Sequence, residues 1–247
     1  MESLNGKLAL VTGAAGGVGL ATCKVLAADG LRVVLADLDG AKLEAAVREV
    51  GAGAAPLLLD VSDPDAVASA CAQVRRDHGD VAVLINNAGI LSNNKAAATE
   101  PAEWRRLMAV NLDGAFYLSR EWLPGMRAAG WGRIVNLCSL AMKSGGLTAG
   151  TAYTASKGGL AALTFSLARE AAGDGVTVNG IAPAHVLTPM VTEQLDEAQR
   201  QAMLAQIPVR RFCEPEEVAH VVRFLVSPLA GFITGEIIDI NGGLHLD

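Results

Sequence analysis

A chain of 247 residues, 51% hydrophobic and 4% aromatic, has the length of one large α/β domain or two small ones and a core that needs no disulfide or metal staple. Its net charge of −6 with no basic tract argues against a nucleic acid or an anionic membrane as partner, and no stretch reaches the ~18 uninterrupted apolar residues of a membrane span. The opening Met-Glu-Ser-Leu-Asn-Gly-Lys lacks the basic and apolar regions of an export signal, and the scattered Cys23, Cys71, Cys138 and Cys213 predict free thiols in a cytoplasmic protein.

The first strand is predicted at Leu8–Val11, running into Thr12-Gly13-Ala-Ala-Gly16-Gly17-Val18-Gly19 and a helix over 17–29. Residues without a Cβ permit a tight turn and let a pyrophosphate approach the amides at a helix N-terminus. The spacing, Gly13, Gly17 and Gly19, is not that of the usual dinucleotide fingerprint. Its place between a strand and an apolar helix favours a dinucleotide site over an ordinary glycine-rich turn. The second strand, Arg32–Ala36, ends at Asp37 and Leu38 before a helix over 40–50. Asp37 falls where a carboxylate accepts hydrogen bonds from adenosine ribose hydroxyls. Two like charges about 4 Å apart repel by roughly 4 kcal/mol at an effective dielectric of ~20. No Arg or Lys lies among residues 14–18 or at 38 to neutralise a 2′-phosphate, so NAD is expected rather than NADP.

The third strand, Pro56–Leu59, leads to Asp60 and Val61 and a helix over 63–77; the fourth, Val81–Ile85, leads to Asn86, Asn87, Ala88 and Gly89, with a helical region over 101–128. Arg133–Leu137 forms the fifth and delivers Cys138 and Ser139. Tyr153 and Lys157 then open a helix over 152–172, four residues apart and so on one helical face. A fixed positive charge beside a phenol favours the phenolate, which suits proton exchange, although this spacing alone arises often by chance. Thr177–Ile181 forms the sixth strand, followed by Pro183, Ala184 and His185, and Glu236–Ile240 forms the seventh, after a helix over 214–227. Between the last two strands, residues 185–212 include an amphipathic helix over 195–207 and predict a substrate lid. Alternating strands and crossover helices imply parallel strands in right-handed βαβ units. The expected fold is α/β, a Rossmann-like doubly wound parallel sheet of about seven strands with helices on both faces. One domain is expected over 1–247, with the ligand at the carboxyl edge of the sheet.

Thr12–Gly19, Asp60-Val61, Asn86–Gly89, Asn111 in Val-Asn-Leu, Ser139, Tyr153-x-x-x-Lys157, Val178-Asn179-x-Ile-x-Pro183 and Ile233-Thr-Gly235 through Asn241-Gly242-Gly243 together resemble the short-chain dehydrogenase/reductase family over nearly the whole chain. The resemblance implies that Tyr153 is the acid/base, that Lys157 favours its phenolate and holds the nicotinamide ribose, that Ser139 orients the substrate oxygen, and that Asn111 holds a water in a proton relay. It also implies that Gly13, Gly16, Gly17, Val18, Gly19, Asp37, Leu38, Asp60, Val61, Asn87, Ala88, Gly89, Tyr153, Lys157, Pro183, Val186 and Thr188 hold NAD. Ser139 precedes Tyr153 by one residue more than the family pattern, so the Leu140–Ala152 segment has to bulge. Ala184 replaces the family's usual Gly.

Ser139, Leu140, Lys143, His185 and Met190 are expected to line the substrate pocket, Lys143 either pairing with an acidic substrate or as a solvated loop lysine. No metal site is expected, because the histidines lack ligand spacing. The expected activity is NAD-dependent interconversion of a secondary alcohol and a ketone, on a small-molecule substrate, in a homotetramer. The alternatives are an NADPH-dependent 3-oxoacyl (carrier protein) reductase, disfavoured by Asp37 and Asp174, and a non-catalytic nucleotide-binding scaffold, disfavoured by the intact Tyr153 and Lys157.

Overall fold

The computed structural model describes residues 3–187 and 197–246. Its elements follow in chain order. They begin with β1 (Leu8–Thr12), α1 (Gly17–Ala28), β2 (Arg32–Asp37), α2 (Gly40–Val50), β3 (Ala54–Leu58), α3 (Pro64–His78) and β4 (Val83–Asn86). Next come α4 (Pro101–Met108), α5 (Gly114–Ala128), β5 (Gly132–Leu137), α6 (Ala141–Ser144) and α7 (Thr151–Ala171). The last are β6 (Val176–Pro183), α8 (Glu197–Gln206), α9 (Pro215–Val226) and β7 (Ile237–Ile240). All strand pairs are parallel, in the order β3-β2-β1-β4-β5-β6-β7, so every carboxyl end lies on one edge of the sheet. The order reverses between β1 and β4, which opens the crevice where ligands of doubly wound sheets sit.

Side-chain alternation along the strands feeds two cores. Leu8 and Leu10 of β1 face one layer with Val67 and Val74 of α3, Leu118 and Trp122 of α5, and Leu167 of α7. Ala9 and Val11 face the other, with Cys23 and Leu26 of α1, Leu43 of α2, and Val218 and Val222 of α9. Because both faces are covered, central strands are near-continuous apolar runs, as β1 is from Leu8 to Val11. Pro56 is tolerated within β3 because that strand lies at the sheet edge.

The helices start where their caps dictate. Asp39 and Asp63 accept first-turn amide hydrogen bonds at α2 and α3, the usual work of an N-cap carboxylate. The helical region expected over 101–128 is not continuous: Ala109–Asp113 between α4 and α5 is a π-helical turn. Part of the expected lid, 188–196, lies outside the described residues, and its amphipathic helix is α8.

Candidate active site

The glycine loop after β1 folds as its composition requires. Gly13 and Gly17 have φ of 62° and 52°, the left-handed region that favours glycine. A Cβ on Gly19 would fall 2.1 Å from the Gly13 carbonyl oxygen, whereas one on Gly16 would meet nothing within 4 Å. The loop is therefore packed against its own backbone on one side and open on the other. Gly16 caps α1 with no side-chain hydrogen bond, so no side chain caps the first-turn amides of that helix. Unsatisfied N–H groups at the positive end of a helix dipole suit a phosphate.

The loop is braced from β4. The Thr12 hydroxyl accepts the backbone N–H groups of Asn87 (3.1 Å) and Ala88 (3.0 Å). The Asn87 amide donates to the carbonyls of Thr12 (2.8 Å) and Gly13 (3.0 Å). At the end of β2, Asp37 accepts the Ala15 N–H at 2.9 Å through Oδ2 and the Asp39 N–H at 3.1 Å through Oδ1. The ribose-binding carboxylate expected from the sequence thus touches the glycine loop itself, and exposed Leu38 follows it. After β3, Asp60 accepts from the hydroxyl (2.6 Å) and backbone N–H (2.9 Å) of Ser62, which hold its carboxyl below the usual range. Val61 packs against Gly114, where a Cβ would fall 2.8 Å from the Val61 carbonyl oxygen. These groups fit a dinucleotide: backbone donors for the pyrophosphate, and a part-buried carboxylate at the end of β2, beside the glycine loop, for a ribose.

A second polar cluster lies after β4, β5 and β6. Lys157 is 4% exposed and donates through Nζ to the Leu137 carbonyl at 2.6 Å. Its ammonium lies 5.8 Å from the centre of the Tyr153 ring. Buried Asn111 sits in the π-helical turn, the kind of helix irregularity that recurs at functional sites. Asn111 accepts the Ile90 N–H at 2.8 Å and donates to the Ile90 carbonyl and the Ser156 hydroxyl, both at 3.0 Å. Ser156 in turn donates to the Tyr153 carbonyl at 2.8 Å. A Cβ on Gly89 would fall 3.3 Å from Asn111 Oδ1 and 3.4 Å from Lys157 Nζ, so both groups converge on that glycine. Ser139 follows β5, where its Oγ accepts the Ala141 N–H at 3.2 Å.

The chain then turns at the nicotinamide end expected from the sequence. Leu140 N–H donates to the Pro183 carbonyl at 3.1 Å. His185 adopts φ 46°, unusual for a residue with a side chain, and burial lowers its pKa. Val186 bridges to Cys213, with the Leu187 N–H donating to the Cys213 carbonyl at 2.7 Å. Thr188 and Met190 lie outside the described residues. Lys143 departs from both sequence expectations. It is part-buried and paired at 2.6 Å with Asp239 of β7, so it is neither a solvated loop lysine nor held ready for an acidic substrate. Between Ser139 and Tyr153 the chain forms α6 and then turns at Gly145 and Gly146, whose φ are 71° and 73°.

Sequence reasoning named Thr12 in the glycine-loop motif without giving its hydroxyl a role, and it missed Ser156 and Lys95, whose only signal was place: beside Lys157 and shortly after Gly89. A cavity of about 320 Å³ lined by Thr99, Trp104, Arg105 and Thr151 shares no lining residue with the polar cluster. Among the described residues no group of His, Cys, Asp and Glu could hold a metal ion, and no helix is long and apolar enough to cross a membrane.

The family model described as enoyl-(acyl carrier protein) reductase matches residues 13–245. Galactitol 2-dehydrogenase (L-tagatose-forming) of Cereibacter sphaeroides is 41% identical over 246 residues, covering 97% of this chain and 95% of that protein. The 3-oxoacyl-[acyl-carrier-protein] reductase FabG of Vibrio cholerae is 39% identical, with 99% of each chain covered. A crystal structure of a proposed gluconate dehydrogenase from Agrobacterium tumefaciens superposes with a TM-score of 0.93 at 33% identity, covering 98% of this chain and 97% of that one. With these likenesses over nearly its whole length and a seven-stranded parallel sheet, the chain belongs to the short-chain dehydrogenase/reductase family.

Proposed function

We propose that this protein is an NAD-dependent oxidoreductase that interconverts a secondary alcohol and a ketone. One observation carries the reading: Asn111 and Lys157 converge on Gly89 beside Tyr153, while Asp37 meets the glycine loop across the crevice. Gly13 to Gly19, Asp37, Asp60, Val61 and Asn87 to Gly89 hold the dinucleotide, and Pro183 to Thr188 its nicotinamide end. A bound nicotinamide supplies or accepts the hydride. Tyr153 gives or takes the proton at the substrate oxygen, and the Ser139 hydroxyl donates a hydrogen bond to the same atom as charge develops there. An ammonium carries three donors, of which the Leu137 carbonyl takes one; the ribose is the next partner assigned to it.

Leu91, Ser92, Leu140, Met142 and His185 mix apolar and hydrogen-bonding groups, which suits a mid-sized polyol, hydroxyketone, hydroxy ester or cyclic alcohol. The likeness to a galactitol dehydrogenase supports the polyol. A panel of secondary alcohols assayed for NAD reduction identifies the substrate. Tyr153→Phe is expected to lower kcat by about 10²–10⁴-fold while leaving NADH binding intact; retention of most activity sinks the assignment.

The likeness to FabG favours a second reading, an NADPH-dependent 3-oxoacyl (carrier protein) reductase. Two features weigh against it. Asp37 repels a 2′-phosphate, and Asp174, paired with Arg127 at 2.5 Å, puts a carboxylate in the connection from α7 to β6, where an acidic carrier would need a basic contact. Comparing kcat/KM with NADH and NADPH separates the two, and a strong NADPH preference favours the reductase.

A further inference from the structure

We propose that Lys95 is a positioning residue for Tyr153, clamping the lengthened segment between Ser139 and Tyr153 into a fixed wall of the substrate site. The proposal rests on the reading of Tyr153 as the acid/base. Lys95 Nζ donates to the Gly146 carbonyl at 2.6 Å and to the Ala149 carbonyl at 2.7 Å. One ammonium thus ties together both ends of the turn that leads into α7, and charge-assisted hydrogen bonds of this kind are the strong ones.

The neighbouring backbone makes the same junction. Gly150 N–H donates to the Ser92 carbonyl at 2.7 Å, and Thr151 N–H donates to the Asn94 carbonyl at 3.0 Å. A Cβ on Gly150 would fall 2.4 Å from the Asn94 carbonyl oxygen, so the two segments are in close backbone contact. The 92–95 segment is itself anchored to α4: Glu103 accepts hydrogen bonds from the Ser92 hydroxyl and, at 2.9 Å, from the Asn94 amide. At the far end of the wall, the Lys143–Asp239 pair holds α6 to β7.

Tyr153 takes its place from this junction. Gly150 is the N-cap of α7 and no side chain caps that helix. The first turn, which carries Tyr153, is therefore oriented by where Gly150 and Thr151 are docked. With the docking loosened, the Tyr153 hydroxyl loses its fixed relation to Ser139. Lys157, one turn further on and held by Leu137, keeps its own.

The test uses the full-length protein with Lys95→Met and Lys95→Arg. Three quantities are read: hydrogen exchange at residues 146–155, NADH affinity by fluorescence, and steady-state kinetics on the best alcohol of the panel. Lys95→Met is expected to raise exchange at Gly150 and Thr151 about tenfold through local opening. It is also expected to lower kcat about 10- to 100-fold through misplacement of the reacting group, with NADH affinity within about twofold. Lys95→Arg, whose guanidinium can still donate to both carbonyls, is expected to recover both. Parent-like protection in Lys95→Met, or kcat within about twofold of the parent despite a loosened segment, overturns the proposal. If Lys95→Met fails to fold, Glu103→Gln, which loosens the 92–95 segment without touching the lysine, carries the same readouts and the same criteria. A Tyr153→Phe control that keeps its turnover sinks the acid/base assignment instead, and the exchange data then decide the clamp alone.

Discussion

Gly19 shows how tightly single residues are specified around the crevice. Its missing side chain lets the Gly13 carbonyl and the Asn87 amide nitrogen sit where a Cβ would be, at 2.1 and 2.8 Å. Gly19→Ala is expected to cost about 1–3 kcal/mol in urea unfolding, as overpacking does, and to weaken NADH binding, because the loop that offers the amides has to shift. A variant that unfolds and binds like the parent removes Gly19 from the cradle. Asp37 makes a complementary case: Asp37→Ala removes the charge that repels a 2′-phosphate and is expected to raise kcat/KM with NADPH relative to NADH. An unchanged ratio shows that selection lies elsewhere. Gly19, Asp37, Tyr153 and Lys157 could be singled out in the sequence because residue type at short spacing is what suggested their proposed roles. Ser156 and Lys95 were not, since serine and lysine are ordinary residues there and their partners, Asn111 and Gly146, lie 45 and 51 positions away in sequence. Lys143 was misjudged for the same reason, its carboxylate partner Asp239 being 96 positions distant.

At the scale of elements, strand and helix order was readable because both faces of the sheet are covered, which makes strands apolar runs and helices amphipathic crossovers. The break between α4 and α5 was not. The residues of the π-helical turn, Ala109 to Asp113, contain no Pro or Gly, and what accompanies the irregularity is tertiary: Asn111 turned inward onto Ile90. The buried ladder from Asn86 to Asn136 (2.8 Å) and from Asn136 to Thr164 (2.9 Å) was equally invisible, because its members come from three elements.

The start of α9 supports a pH prediction. Glu217 accepts from Arg211 Nη2 at 2.7 Å and from the Glu214 N–H at 2.9 Å. Those bonds, Arg211 first, pull its carboxyl from 4.5 to about 2. A carboxylate whose folded pKa is depressed contributes stability above its unfolded pKa and loses it as pH falls through the folded value. The window here is therefore pH 4.5 down to about 2. Thermal unfolding of Glu217→Gln against the parent is expected to show a deficit at pH 7 that narrows steadily below pH 4.5. A gap that stays constant through that range assigns the acid sensitivity to other carboxylates.

Among the described residues, Trp104 of α4, Phe116 of α5 and Phe165 of α7 expose large apolar side chains, and so, nearer the carboxyl end of the chain, do Phe224 of α9, Leu229, Phe232 and Leu246. Isolated exposed apolar residues are ordinary, but clusters mark contact surfaces. A chain with two distinct self-complementary faces closes into a tetramer with two kinds of two-fold contact, whereas one such face stops at a dimer. We therefore expect a homotetramer, four times the 25.4 kDa of one chain, by light scattering of the purified protein. Phe165→Asp is expected to open the α5–α7 contact and Phe232→Asp the carboxy-terminal one, each giving a dimer, and the double variant a monomer. A charge buried against an apolar partner without a counter-ion is costly enough to do this. A parent that scatters as a monomer refutes the assembly. Dimers in the parent that only one of the two substitutions dissolves reduce it to a single working face.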